Sequence, residues 1–307
     1  MLSNVIHYKR VGLIKRTFVA ILDIVFLLVL VFIFLFTSLG IFINTSYFIS
    51  ANETLISIKN DSKLFNDNVE YAYILKEDDT LTINEKSELL NEVITNFYIS
   101  LDNLDLNNNY YESYLNRKLE AKSNEVNLFI KVNDEVIKSN NNISDQTYFD
   151  FYLNEYSSYS VPILYGTNEY ESISKSIVMI NLTIIVISIL ISGLIIYLVF
   201  PLTFKRDHAT LAMKIFKLGL INQNGLSLEN KEFLFRFLFL YIVEFILGIL
   251  SLFIIPLISY SYMILSKKES PFHDAMINIM MVDKNSNKIY LNKVEYLNEA
   301  NVLTNKK

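Results

Sequence analysis

Cysteine and tryptophan are absent from this 307-residue chain, and glycine and proline are scarce, with 7 and 4 residues respectively. Without cysteine the protein has neither disulfide bonds nor a thiolate metal site. Charged residues make up 19% of the chain, whereas soluble domains contain about 25%. Hydrophobic residues make up 52%. This balance favours a membrane protein over a soluble globular one.

The net charge of −5 is the sum of two oppositely charged parts. Residues 44–175 contain 22 acidic and 10 basic residues, a net charge of −12, and the rest of the chain carries +7. Outside this block, lysine and arginine lie mostly beside apolar runs. Their position therefore does not indicate a nucleic-acid partner.

Two long apolar runs are predicted to be membrane-spanning helices. Phe18–Ile43 has 26 residues with a single charge, Asp23, and Ile177–Phe204 has no charge at all. A bilayer core about 30 Å thick requires roughly 20 helical residues, so both runs are long enough to cross it.

A third apolar run, Phe233–Leu265, leaves two alternatives open. Its 33 residues would form a helix of about 50 Å, which is too long for one upright span and too short for two full ones. Gly248 and Pro256 are candidate break points, because proline interrupts a helix. The run is therefore either one steeply tilted helix or a hairpin of two short helices.

The distribution of basic residues predicts the orientation. Residues 1–16 carry four basic residues and no acidic one, which predicts a cytoplasmic N-terminus that acts as an uncleaved signal anchor. The acidic block 44–175 then lies outside the cytoplasm, and residues 205–231, with a net charge of +3, return to it. The tail from residue 266 has a net charge of +2 and also favours the cytoplasm. An even number of crossings, and hence the hairpin, follows.

Residues 44–175 are predicted to form a small α+β domain. Apolar residues at helical spacing predict a helix over 85–104, and further helices are expected over 110–122 and 145–156. Residues 126–132 and 135–138 read as a β-hairpin, because Asn133 and Asp134 tolerate the left-handed turn conformation.

Short strands are also predicted on the cytoplasmic side. One lies in loop 205–231, over 215–221 and before the Asn224-Gly225 turn, and two more are expected at 276–282 and 289–291. These pieces are expected to pair into one small sheet. The predicted domains are 1–43, 44–175, 176–285 and 286–307, the last being a cytoplasmic tail.

Charged residues within the apolar runs are the candidate functional positions. Asp23 lies seven residues after Arg16, on the same helical face, and Glu244 lies eight residues after Arg236. An aspartate in a span costs about 3 kcal/mol on insertion scales and tends to face a bundle interior or water. Asp23 is thus either an ion or substrate contact or a structural link to a neighbouring helix or to Arg16.

Several short motifs carry a resemblance to a known family. The segment 12–25 contains Arg16 and Asp23, the segment 210–218 begins with Thr210, and the segment 271–277 contains His273 and Asp274. With Asn224-Gly225 and Leu234-Phe-Arg236, these motifs occur in the order found in the RDD family of bacterial membrane proteins, which the chain resembles.

The resemblance covers about 1–43 and 177–285, which makes residues 44–175 an insertion between the first two family helices. It implies that Arg16, Asp23 and Asp274 are the three signature positions of the family, and these three are expected to form one polar cluster. Ala212 and Met213 stand where the family usually has glycine and lysine. Transport has been proposed for the family, and the resemblance implies a location in the bacterial cell membrane.

The fold class predicted is thus an α-helical integral membrane protein with an inserted α+β domain and a small cytoplasmic β element. A component of small-ion or solute transport is the first functional hypothesis. Too few helices are present for a monomeric transporter, so a homo-oligomer or other membrane proteins are expected as partners, besides the lipid bilayer. The alternative is a binding, sensing or scaffold protein that acts through its extracytoplasmic domain.

An enzyme is not expected. The chain lacks a nucleophile-elbow motif, an HExxH motif and a phosphate-binding loop, and its three histidines are scattered. No cofactor and no metal site are therefore predicted.

Overall fold

The computed structural model describes residues 8, 11–104, 108–139, 143–265 and 270–304. The chain divides into two compact units. We call Met1–Gly40 with Leu182–Lys307 the terminal unit, and Ile41–Asn181 the central unit. Six basic residues that contribute to the predicted orientation lie outside the described residues: Lys9, Arg10, Lys267, Lys268, Lys306 and Lys307.

The protein is mostly helical. The helices are, in chain order, α1 Leu13–Ile43, α2 Ser46–Asp61, α3 Tyr71–Glu77, α4 Ile83–Leu104, α5 Tyr110–Glu120, α6 Asp145–Glu155, α7 Val161–Tyr165, α8 Asn168–Leu194, α9 Phe200–Thr203, α10 Leu211–Ile215, α11 Asn230–Leu238, α12 Leu247–Leu250, α13 Ile254–Leu265, α14 Phe272–Met276 and α15 Lys293–Thr304. Three π-helical segments continue neighbouring α-helices: Tyr156–Ser160, Ile195–Val199 and Phe239–Ile246.

The strands are short and antiparallel. They are β1 Phe65–Asn66, β2 Val69–Glu70, β3 Lys122–Ser123, β4 Val126–Asn127, β5 Phe129–Val132, β6 Glu135–Lys138, β7 Leu218–Ile221 and β8 Met280–Asp283. They pair as β1 with β2, β3 with β4, β5 with β6 and β7 with β8.

Three helices are long and apolar enough to cross a membrane. They are Leu13–Ile43, Asn168–Thr203 and Asn230–Leu250, with mean hydropathies of 3.3, 2.8 and 2.3 over their most apolar windows. Lipid offers no hydrogen-bond partners to the backbone, and a helix can cross it because all of its backbone bonds are internal. Only 11% of the α1 window is buried inside the protein. The two long apolar helices predicted from the sequence are confirmed.

The third apolar run is broken, so a single continuous helix over 233–265 is wrong. The break lies at residues 251–253, where Leu252 and Phe253 have φ angles of 51° and 67°. The N–H of Phe253 donates to the carbonyl of Gly248 at 2.7 Å. A Cβ on Gly248 would lie 2.9 Å from Cγ of Pro256, so close packing of the hairpin arms requires glycine there. The hairpin has a longer first arm, Asn230–Leu250, than the sequence predicted.

The central unit has its own core of aromatic and aliphatic side chains. Helix α4 contributes Leu90, Ile94 and Phe97, which are buried at the spacing expected for one helical face. The predicted helices over 85–104, 110–122 and 145–156 are confirmed as α4, α5 and α6.

The predicted hairpin is also present, with a shorter first strand. Asn133 and Asp134 form its turn with φ angles of 49° and 70°, and Val132 faces Glu135. Residues 126–127 belong instead to a separate pair, β3–β4.

A small sheet in the terminal unit joins two distant segments, as predicted. Strand β7 pairs with β8 so that Leu220 faces Met281. A Cβ on Gly219 would lie 2.8 Å from Cβ of Asp207, so this close approach requires glycine. The strands are shorter than predicted. Ile215 ends helix α10 and Met276 ends helix α14, so β7 begins at Leu218 and β8 at Met280, and 289–291 contribute only an isolated bridge at Tyr290.

Candidate functional site

The seven candidate polar positions from the sequence lie in the terminal unit with little exposure to solvent. Six of them together form a buried polar network. Exposed fractions are 7% for Asp23, 3% for Thr210, 4% for Arg236, 7% for His273 and 1% for Asp274. The side chain of the sixth, Glu244, is 12% exposed. Burial of so many charged groups is costly unless they are paired and hydrogen-bonded.

The centre of the network is an ion pair between α11 and α14. Nε of Arg236 donates to Oδ1 of Asp274 at 2.6 Å. Burial is the largest single effect and acts to raise the pKa of the Asp274 carboxyl, but the charge and hydrogen bond of Arg236, together with His273 and Arg16, outweigh it and hold that pKa below its usual range. Asp274 is therefore ionised at neutral pH.

His273 connects this ion pair to a second carboxylate. Its Nε2 lies 3.2 Å from Nη2 of Arg236, and its Nδ1 lies 2.9 Å from Oε2 of Glu244. Because a guanidinium nitrogen only donates, a neutral ring that accepts at Nε2 has its proton assigned to Nδ1. The contact between Nδ1 and Glu244 is close but does not have the geometry of a hydrogen bond.

Glu244 ties the helical hairpin to α14. It lies in the π-helical segment Phe239–Ile246, and its Oε1 accepts from Oγ of Ser259 at 2.8 Å and from the backbone N–H of His273 at 3.1 Å. Oγ of Ser259 in turn accepts from the N–H of Phe272 at 3.1 Å. A π-helical turn inside an α-helix is frequent at functional sites. The part played by Ser259 was not predicted, because a serine in an apolar run has no distinguishing pattern.

Asp23 has different bonded partners. Its Oδ2 accepts from Oγ1 of Thr210 at 2.7 Å, and its Oδ1 accepts from the N–H of Ala212 at 3.4 Å. Thr210 is also the N-cap of α10, where its Oγ1 accepts from the N–H of Met213 at 3.3 Å. Asp23 is therefore bonded both to the backbone of helix α10 and to the side chain that caps this helix.

In the predicted cluster of Arg16, Asp23 and Asp274, the two aspartates are bonded to other residues as well. The guanidinium bonded to Asp274 is that of Arg236, and Asp23 is bonded to Thr210. Arg16 lies 5% exposed and within electrostatic range of Asp274. Arg236 lies within the same range of Asp23.

A second polar group, not predicted, supports the sheet beside the network. The carboxylate of Asp207 accepts from Nζ of Lys214 at 3.0 Å and also bonds Nζ of Lys284. Lys284 follows β8, so Asp207 links loop 205–231 to a segment far along the chain. Its side chain is only 4% exposed.

Chemically, the network combines the ion pair of Arg236 and Asp274 with a close contact between His273 and Glu244. Arg236 keeps its charge at every physiological pH, whereas the charge of an imidazole depends on protonation, and Nδ1 of His273 lies 2.9 Å from Oε2 of Glu244. In the described part of the chain, no three His, Asp or Glu side chains are arranged to hold a metal ion.

Comparison with known proteins places the network in a family context. Residues 156–278 match the model of the RDD family, so an RDD family domain is present there. This range includes Thr210, Arg236, Glu244, His273 and Asp274. No curated protein and no solved structure matches the chain.

Proposed function

We propose that this protein is a multi-pass protein of the bacterial cell membrane and a component of small-ion or solute transport, with the Glu244–His273 contact as its ion-linked element. The observation that carries the proposal is the 2.9 Å separation between Nδ1 of His273 and Oε2 of Glu244, among apolar helices. Ionisable groups at such positions typically mark ion or substrate pathways and proton relays.

The physical argument rests on charge balance. Asp274 is neutralised by the permanent charge of Arg236, whereas in the described residues no lysine or arginine forms an ion pair with Glu244. The carboxylate of Glu244 is instead compensated by a histidine whose charge depends on protonation. Loss or gain of a proton, or arrival of a small cation, therefore changes the local charge of the network. Such a change can shift the balance between two packings of the helices.

The described part of the chain has few long apolar helices for a transporter that acts as a monomer. Transporters generally enclose their site near the bilayer midplane between repeated helix bundles. We therefore propose a homo-oligomer, or assembly with other membrane proteins. Apart from the transported ion, the proposal assigns no role to a cofactor, a resident metal or nucleic acid, and no catalytic step to the chain.

The orientation follows from the charge distribution. We propose that both chain ends and loop 205–231 lie in the cytoplasm and that residues 44–175 lie outside, because basic residues are retained on the cytoplasmic side.

A second candidate function is binding or sensing by the central unit. It is favoured by the unit's own core and by the half-buried ion pair in which Nη2 of Arg117 donates to Oε1 of Glu155 at 2.5 Å. A folded unit of this size can present a specific surface independently of the apolar helices.

Flux measurements in liposomes test the transport proposal. The purified full chain is reconstituted with a pH-sensitive dye inside, and gradients of H⁺, Na⁺ and K⁺ are imposed separately. We expect ion-dependent pH changes faster than in protein-free liposomes, and their loss in Glu244→Gln. Glu112→Gln, a change of the same kind at an exposed position of the central unit, is the matched control. Wild-type flux equal to that of protein-free liposomes for every ion would overturn the proposal, as would a fully active, folded Glu244→Gln.

A further inference from the structure

The central unit has a groove that is separate from the buried polar network of the terminal unit. It has a volume of about 520 Å³ and lies between the end of α2 with the β1–β2 hairpin on one side and α4 on the other. This volume is within the range of small-molecule sites, roughly 300–1,000 Å³.

The two charged residues that line the groove have opposite signs and lie on opposite walls. Lys63 lies on the wall that contains β1, and Glu92 lies on α4. Both are exposed, and in the described part of the chain neither side chain forms an ion pair or a hydrogen bond. By contrast, the nearby Lys59 donates to Asn68 at 3.1 Å. The groove thus offers one cation and one anion that the protein itself does not use.

Carboxamide groups add matching hydrogen-bonding capacity. Asn66 and Asn96 line the two walls, both are exposed, and neither side chain is bonded within the described residues. A carboxamide has one acceptor oxygen and two donor hydrogens, which complement the N–H and C=O of a peptide group. On α4, Glu92 and Asn96 are four residues apart and so lie on one face.

The apolar part of the lining favours a peptide over a sugar. Sugars are commonly bound on the open face of an aromatic ring, and two rings line the groove. Phe65 is only 5% exposed and Lys59 already lies over its ring at 5.2 Å, while Tyr71 is half-buried. Val93 adds a half-buried aliphatic surface, which suits a small apolar side chain.

We infer that this groove binds a short peptide with free termini, its carboxylate at Lys63, its ammonium at Glu92 and its main chain on the carboxamides. The inference rests on the second candidate function, a binding role of the central unit, and is independent of transport. An extended tripeptide, which spans about 10 Å, is the shortest probe with a central residue between its two charged ends.

Calorimetric titration of the full chain in lipid nanodiscs tests the inference. The probes are trialanine, N-acetyl-trialanine amide, which lacks both charges, and chitotriose, a neutral sugar. We expect trialanine to bind and the blocked peptide to bind at least tenfold more weakly.

Two charge-removing variants should reduce trialanine affinity at least tenfold. In Lys63→Asn, asparagine suits the left-handed conformation at φ 61° better than lysine does, so the fold is retained. Glu92→Gln removes the other charge without changing the shape of the side chain. Lys122→Asn and Glu112→Gln, at exposed positions away from the groove, are the matched controls and should bind normally.

The possible failures are distinguishable. Chitotriose binding without trialanine binding would overturn the peptide assignment and leave the binding role of the central unit standing. No binding of any probe up to roughly 1 mM, the weak limit of specific recognition, would overturn the inference and remove support from the second candidate function as well. Trialanine binding that is unchanged in both Lys63→Asn and Glu92→Gln would overturn the assignment of the termini.

Discussion

Arg236 and Asp274 form a buried ion pair, with Nε and Oδ1 separated by 2.6 Å and side chains only 5% and 1% exposed. The two residues are 38 positions apart, and their pairing joins the first arm of the helical hairpin to the short helix α14. Because both charges are removed from water, the stability of each charged side chain depends on its contact with the other.

Removal of only one member of this pair should be strongly destabilising. Arg236→Met strands a buried carboxylate, which costs about 3–5 kcal/mol, and should lower the melting temperature in detergent by roughly 10 °C. Arg236→Met with Asp274→Leu should recover much of that loss. Arg206→Met is the control, because its exposed pair with Glu295 at 3.0 Å contributes at most about 1 kcal/mol. Additive effects of the two buried changes would contradict their coupling.

The hydroxyl of Thr210, rather than the size of its side chain, should be needed for the stability of the protein. Thr210→Val removes the donor to Asp23 and the cap of α10, which together contribute about 2–4 kcal/mol, whereas Thr210→Ser keeps both. The measurement is the melting temperature by size-exclusion survival after heating. Thr54→Val, which removes an exposed hydroxyl bonded only within its own helix, should have little effect. Equal losses for Thr210→Ser and Thr210→Val would show that the methyl packing matters instead.

The hairpin turn should reject a side chain at position 248. In Gly248→Ala, Cβ would lie 2.9 Å from Cγ of the rigid ring of Pro256, and such overpacking costs about 1–3 kcal/mol. Gly40→Ala is the control, since no atom lies within 4 Å of the added Cβ and alanine favours the helix. A Gly248→Ala protein as stable as wild type would indicate that the two arms separate readily.

Lys118 should make the stability of the central unit depend on pH. Its Nζ donates to Oδ1 of Asn91 at 2.7 Å and lies 4.7 Å from the ring centre of Tyr114. Burial lowers the pKa of Lys118 to about 8, against the opposing effect of Glu155 and with a further lowering by Lys138.

Between this pKa and the ordinary lysine pKa of 10.5 the unfolded chain binds more protons than the folded one, so stability rises as pH rises. From pH 7.5 to 9.5 the gain is about 2 kcal/mol. Urea titration of the full chain, followed by tyrosine circular dichroism, measures it. Lys118→Met should lose the gain, and the exposed Lys122→Met should retain it. A wild-type stability that falls over this range would have the wrong sign.

Single cysteines test the proposed orientation, because the chain contains none of its own. Exposed turn positions 124, 224 and 285 suit substitution. A maleimide that does not cross membranes should label whole cells at 124 only, if loop 205–231 and the tail are cytoplasmic. Labelling at 285 would contradict an even number of crossings.

The sequence by itself determined the local elements. Run length and hydropathy are sufficient for Leu13–Ile43 and Asn168–Thr203, because a long apolar segment in lipid has to bond its own backbone. The turn at Asn133-Asp134 was predictable for a similar reason, since the left-handed conformation restricts the residue types that can occupy it.

Only the tertiary structure decided which polar side chains form hydrogen bonds and ion pairs with one another. Arg16 and Arg236 both precede buried carboxylates at helical spacing, and spacing cannot say which guanidinium meets Asp274. The bond between Thr210 and Asp23 joins residues 187 positions apart, and Ser259 resembles any other serine of an apolar helix until α14 folds against it. Periodicity reports which face of a helix is polar, but which polar groups meet depends on how the helices pack, and that depends on the whole chain at once.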